Sequence, residues 1–358
     1  MKLIRTEDAV GHVLCQDITQ IIRGVTKDAV FRKGHVVTEE DIPVLLSVGK
    51  EHLYVWENDD TMLHENEAAQ VLYSMCKGNH MHGSDVKEGK IELIADADGV
   101  LKINRERLLA VNNFEQMMIA SRHGDTMVKV GDKLAGTRII PLVIEKEKME
   151  AASKVGNDQP IFNILPYKKK KVGIVTTGSE VFKGRIKDTF GPVIKDKLAE
   201  FPTEVLGQTY VDDEKAHITE AILAFIEQGA DMVVCTGGMS VDPDDCTPGA
   251  IANTGARVVS YGAPVLPGAM MMLAYYEKDG KTIPVMGAMF LLGYYADGRP
   301  VMGLPGCVMY AKATIFDLVL PRAMADDIMT REDICRLGEG GLCLNCDVCT
   351  YPNCGFGK

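Results

Sequence analysis

The stretch "TGGMSVDPDD" at residues 236–245 closes an apolar run with two glycines, adds a hydroxyl, and then sets three aspartates within four positions. Two further stretches share its character: "TTGSE" at 176–180 and "GLPG" at 303–306. Glycines without Cβ let backbone N–H groups come close to an anion, and serine or threonine hydroxyls add donors. Carboxylates beside such a cradle would repel a phosphate unless a hard cation lay between them, the usual arrangement for Mg²⁺. The same residues have a plainer use, because strand-to-helix loops favour Gly, Ser and Thr for turns, and Asp for helix caps. Capping is the expected role of Asp212 and Asp244. Asp213, in "VDDE" at 211–214, and Asp245 are the expected metal-side pair.

These loops need strands to hold them. Val172–Thr176, Asp231–Thr236, Arg257–Ser260, Thr282–Met286 and Val301–Leu304 read as buried strands. Helices near 190–201 and 215–228 carry apolar positions at i, i+3 and i+4, and Gly229 ends the second. Such alternation predicts an α/β domain over 168–328, a mostly parallel sheet with helices on both faces, in which ligands bind at the carboxyl ends of the strands. Lys168 to Lys171 stand at the opposite end, roughly 16 Å away for a five-residue strand, and suit a solvated strand entrance. Upstream, residues 1–85 mix short strands with a helix whose stripe is Ile42, Leu45, Leu46 and Val48, ended by Gly49. Residues 86–150 are β-rich with Asp-Gly and Gly-Asp turns, as in a small barrel or sandwich, interrupted by helix signals near 105–110 and 114–121. A charged, Gly- and Pro-containing linker is expected up to residue 167 (151–167).

Charge excludes some functions. The net charge of −11 disfavours nucleic-acid or anionic-lipid binding through a general basic surface, so an anionic ligand must be held locally. No stretch has the length and apolar character of a membrane span, and the start has no apolar signal core, so a soluble cytoplasmic protein is expected. Five of the ten cysteines fall in the last 24 residues. Cys343, Cys346, Cys349 and Cys354 follow C-x2-C-x2-C-x4-C, making 329–358 a candidate metal-binding tail. The spacing suits an iron–sulfur cluster or Zn²⁺, is near the ferredoxin run without matching it, and leaves Cys335 as a spare. Cys15, Cys76 and Cys235 read as buried small hydrophobes, and Cys246 and Cys307 border the candidate site. His80 and His82 in "NHMHG" read as solvated.

In order and spacing, "TTGSEV…GRIKD", "VDDE", "CTGGMSVDPDDCTP", "PG" at 267–268 and "GLPG" resemble the molybdopterin-binding domain of molybdenum cofactor synthesis proteins. "AVGHVLCQDI" and "KGHVVTEEDIPVLLSVGKEHLYV" are similar to the N-terminal regions of the larger branch, the molybdopterin molybdenumtransferases. The resemblance implies a ligand, molybdopterin or adenylyl-molybdopterin, held with Mg²⁺ by Thr176, Thr177, Gly178, Ser179, Glu180, Thr236, Gly237, Gly238, Ser240, Pro305 and Gly306. Asp213 and Asp245 would be catalytic and hold Mg²⁺ or molybdate. It implies a transferase that inserts molybdate and releases AMP, with a molybdoenzyme as recipient of the product and self-association left open. The chain also departs from that pattern: "PGAM" at 267–270 replaces Pro-Gly-Lys-Pro, Cys307 and Val308 replace Asn-Pro, and Phe190 stands where Asn is common. "DDCTP" is closer to the small adenylylating branch. Two alternatives therefore stand beside insertion: a non-catalytic carrier or sensor of the cofactor, and a molybdopterin adenylyltransferase.

Overall fold

The computed structural model describes residues 2–22, 26–55, 60–156, 159–239, 243–288, 293–294, 300–301 and 311–358. The chain divides into two compact units. The first comprises Met1–Asp96, Ile103–Arg122 and Val130–Asn163, and the second Ala97–Lys102, His123–Lys129 and Ile164–Lys358.

In the first unit, strands Met81–Gly83, Lys90–Ala95, Lys133–Ile139 and Met117–Ser121 form one antiparallel sheet in that spatial order. Helix Glu65–Cys76 buries Ala68, Ala69, Leu72 and Cys76. Its start is fixed by a capping box in which His64 and Glu67 each bond the other's backbone. Helix Asp41–Ser47 buries Leu45 among Ala9, Leu14, Ile18, Val37 and Leu53, with Ile42 and Val48 packed at the edge. The helix signal near 105–110 corresponds to Arg105–Asn112, but the one at 114–121 does not hold. Residues 117–121 form a strand because Met117 and Ile119 alternate inward against the partner strand, and period two wins over local propensity. Part of the expected linker is ordered as well: Lys146–Lys154 is helical, with Met149 and Ala152 fully buried. Its charges sit on the outer face of an amphipathic helix.

The second unit is built on a six-stranded sheet. Its strands are β1 (Lys170–Thr177), β2 (Thr203–Val211), β3 (Met232–Thr236), β4 (Arg257–Tyr261), β5 (Met272–Lys278) and β6 (Lys281–Ala288), in the spatial order β2-β1-β3-β6-β5-β4. The first four in that order are parallel, and β5 runs antiparallel to both β6 and β4. Side chains alternate between two cores, as the pleat dictates. Val172, Ile174, Met232, Val234 and Leu273 face helices α2 (Phe190–Ala199), α5 (Ile315–Met324) and α6 (Arg331–Arg336). Val175, Val233, Cys235 and Val285 face α3 (Lys215–Glu227) and α4 (Thr247–Asn253). Gly173 lies on this second face, where any Cβ would overlap the Phe225 ring. The α/β class with helices on both faces is therefore the observed one. Two strands went unread: β2, an edge strand whose outward residues are exposed, and β5, whose polar end masks its apolar start.

The lysine run is not wholly solvated. Lys170 is buried and pairs with Asp326, which also binds Lys168 at 2.8 Å. Among the described residues no helix is long and apolar enough to cross a membrane.

Candidate functional site

The carboxyl ends of β1 and β3 lie side by side, with Thr176 paired to Thr236 in register. Four threonines knit the two ends together. The Thr177 hydroxyl donates to the Thr236 carbonyl at 3.2 Å and meets the Thr247 hydroxyl at 3.1 Å. The Thr236 hydroxyl donates to Thr176 Oγ1 at 3.1 Å, which also accepts from Gln208 Nε2 at 2.8 Å. All four threonines are buried. The hydroxyls of Thr176, Thr177 and Thr236 are thus committed inside the protein, where unmet polar groups would cost free energy. They shape the loops from within, and Thr176 Oγ1 acts as acceptor in both of its contacts.

What these threonines position is the glycine turn. Gly237 and Gly238 have φ of 90° and 57°, a left-handed pair that other residues adopt at a cost. A Cβ on Gly237 would overlap the Thr177 carbonyl, and one on Gly238 would lie 2.7 Å from Thr247 Oγ1. The Gly238 carbonyl accepts from the Thr247 N–H at 3.0 Å, closing the loop onto the start of α4. Successive N–H groups in such a turn make a concave donor surface for an anion. On the neighbouring strand, Gly178, at φ 133°, leads into helix α1 (Ser179–Phe182). Ser179 is partly exposed and Glu180 exposed.

The carboxylates separate by partner. Asp213 Oδ2 accepts the Ser179 N–H at 2.8 Å, so the connection after β2 caps the loop after β1. Asp212 accepts from the Glu214 N–H at 3.2 Å and pairs with His217 at 2.8 Å. Asp245 stands near the Tyr261 phenol, whose pKa is raised first by burial and then by the Asp245 charge. Tyr261 in turn donates to the Met239 carbonyl at 3.0 Å, tying the end of β4 to the glycine loop. Among the described residues no three His, Cys, Asp or Glu side chains gather as a metal ion would require. Cys235 is buried and its thiol is pushed up to about 12, as an inert core residue should be. His82 pairs with Asp96 at 2.5 Å.

Three supporting residues were not among the expected site residues, although Asp188 closes the "GRIKD" stretch. Asp188 accepts from the Phe190 and Gly191 N–H groups and from Gln208 Nε2 at 2.6 Å, linking α2 to β2 behind Thr176. Gln208 and Tyr261 lie on edge strands whose partners only the sheet order reveals. Ser240, Asp242, Gly303, Leu304, Pro305, Gly306, Cys307 and Val308 lie outside the described residues.

An open α/β sheet with glycine turns at the ends of adjacent parallel strands is of the doubly wound class, in which ligands bind outside such strand ends. Residues 173–325 match the family described as the probable molybdopterin binding domain, so the resemblance read from the loops holds over that stretch. Residues 3–57 match a domain of unknown function. Over 77 residues the chain is 40% identical to a CinA-like protein of Mycobacterium tuberculosis (strain ATCC 25177 / H37Ra), covering 22% of this chain and 18% of that one. Over 96 residues it is 38% identical to a CinA-like protein of Mycobacterium avium (strain 104), covering 26% and 22%. The chain thus spans about a fifth of the length of these curated relatives. Among solved structures, the tungsten cofactor synthesizing protein MoaB from Pyrococcus furiosus is similar at 22% identity and a TM-score of 0.31, covering 34% of this chain and 82% of that one.

Proposed function

We propose that the second unit binds molybdopterin or its adenylylated form at the Gly237–Gly238 cradle, and that the protein exchanges the AMP of the adenylylated form for molybdate. The observation that carries this reading is the left-handed glycine pair braced by Thr177 and Thr247, with no room for a Cβ at either position. The backbone of Gly237 and Gly238 binds the phosphate, and the Gly178–Ser179 turn flanks it. Asp213 orients that turn through the Ser179 N–H, and Asp245, near the Tyr261 phenol, is the carboxylate assigned to the departing phosphate. Magnesium, arriving on the phosphates and needing only one or two protein carboxylates, would supply charge neutralisation there. The product would pass to a recipient molybdoenzyme.

The test is anaerobic incubation of the full chain with adenylyl-molybdopterin, Mg²⁺ and molybdate, following AMP with time. AMP release that requires molybdate and is lost in Asp245→Ala supports insertion. Tight binding without release overturns it in favour of the carrier reading, which the engagement of Asp213 by Ser179 and the Ala269 in place of a lysine both favour. AMP transfer from ATP to unadenylylated molybdopterin would instead identify an adenylyltransferase.

A further inference from the structure

The C-terminal tail is a folded lobe. Leu342 bridges Leu266 in parallel fashion, the Leu266 N–H donates to the Gly341 carbonyl at 2.8 Å, and the Cys343 N–H donates to the Leu266 carbonyl at 2.8 Å. The Gly357 N–H returns to the Gly340 carbonyl at 2.9 Å, closing the lobe into a loop. Phe356 is buried in the same core as Phe316 and Val319, and the Tyr351 hydroxyl donates to the Asp317 carbonyl at 2.8 Å. Such anchoring offsets the chain entropy that a short Gly- and Cys-rich tail would otherwise retain.

Within this lobe Cys343, Cys346, Cys349 and Cys354 all line one cavity of about 240 Å³. Cys343 and Cys354 are half-buried against the apolar core, while Cys346 and Cys349 are exposed. A single zinc ion, with Zn–S bonds of about 2.3 Å, needs four sulfurs drawn to within roughly 4 Å of one another. These four thiols line a volume several times that of a single ion. A many-atom centre fits that arrangement. The spacing is one residue longer in its last interval than the bacterial ferredoxin run. We infer that the lobe is a binding site for a four-iron, four-sulfide cluster ligated by Cys343, Cys346, Cys349 and Cys354. Tyr351 and Phe356 form its apolar wall, and Lys312, also on the cavity wall, offsets the negative charge of four thiolates. The Lys312 ammonium is already held at the lobe by the Asp347 carbonyl, 3.0 Å away. Cys335, exposed on α6, is not part of the lining.

The lobe is anchored at Leu266, in the turn after β4, and none of its residues is assigned to the Gly237–Gly238 cradle on which the pterin reading rests. The cluster inference does not depend on the ligand bound there.

The test is to reconstitute the full-length chain anaerobically with Fe²⁺ and sulfide, in parallel with Zn²⁺ alone. The expected result is about four iron and four acid-labile sulfide per chain, with a broad visible charge-transfer band and an electron paramagnetic resonance signal on reduction. Cys346→Ser and Cys349→Ser, at exposed positions, should each lower retained iron by at least about tenfold with far-ultraviolet circular dichroism unchanged, while Cys335→Ser keeps it. A cluster retained in the Cys346→Ser, Cys349→Ser double variant overturns the assignment. One tightly held zinc with four sulfur neighbours by X-ray absorption, displacing iron, overturns it equally, as does a folded chain that takes up neither metal. AMP release is recorded on the same preparations, so failure of the cluster and failure of the pterin reading are separable.

Discussion

The Thr177 hydroxyl at the end of β1 lies 3.1 Å from the Thr247 hydroxyl that opens α4, and both are buried. Residues seventy apart thereby lock the glycine turn between them. Replacing Thr247 with Val keeps the volume but leaves the Thr177 oxygen short of a partner. The expected cost is about 1–3 kcal/mol in chemical unfolding. Ligand affinity should fall further than in a surface variant of equal stability, as calorimetric titration with molybdopterin would measure.

Gly237→Ala tests the turn itself. With φ at 90° and the Thr177 carbonyl in the way, the turn must open to admit the methyl. Stability should drop by about 1–3 kcal/mol, and anion binding should be lost while circular dichroism still reports the α/β fold. Gly255→Ala, also at φ 87° but with open space around the added carbon, is the control. It should carry the strain without the binding loss.

Asp213 separates a cap from a metal ligand. Asp213→Asn keeps an acceptor for the Ser179 N–H, so a capping role predicts near-native stability and binding. Asp213→Ala should loosen the Gly178–Ser179 turn, costing roughly 1 kcal/mol. If Asn behaves like Ala in Mg²⁺-dependent AMP release while stability is unchanged, the carboxylate charge itself is required.

Acid should weaken the second unit through Asp327. Burial alone would raise its pKa, but the Arg322 hydrogen bond at 2.5 Å, and Lys102 at 2.9 Å, outweigh that and hold it below the ordinary carboxylate value. Because the folded-state value is the lower one, the stabilisation is fully present above the unfolded carboxylate pKa of about 3.9 and is lost as pH falls through the folded value. Unfolding followed from pH 7 down to about pH 3 should show stability declining below about pH 5. Asp327→Asn should make that decline shallower.

Local patterns determined a good part of this molecule. The apolar runs at 172–176 and 231–236, the helix stripes of α2 and α3, and the glycine and hydroxyl residues at their strand ends were legible because each is set by neighbours within a few positions. From these came the α/β class and the place of the cradle. Tertiary structure decided what the site residues do. Thr176, Thr177 and Thr236 are spent on one another because β1 and β3 are adjacent, a pairing across sixty residues that no local pattern encodes. Asp213 is drawn to Ser179 by the order β2-β1-β3, and Lys170, one of four like residues in sequence, is buried because Asp326 is brought beside it. The same holds for the tail: cysteine spacing names a candidate set, but only the packing of Tyr351 and Phe356 into the core turns that set into the wall of a single cavity. A side chain's type is read from the sequence, whereas its partner depends on which distant segment the fold lays against it.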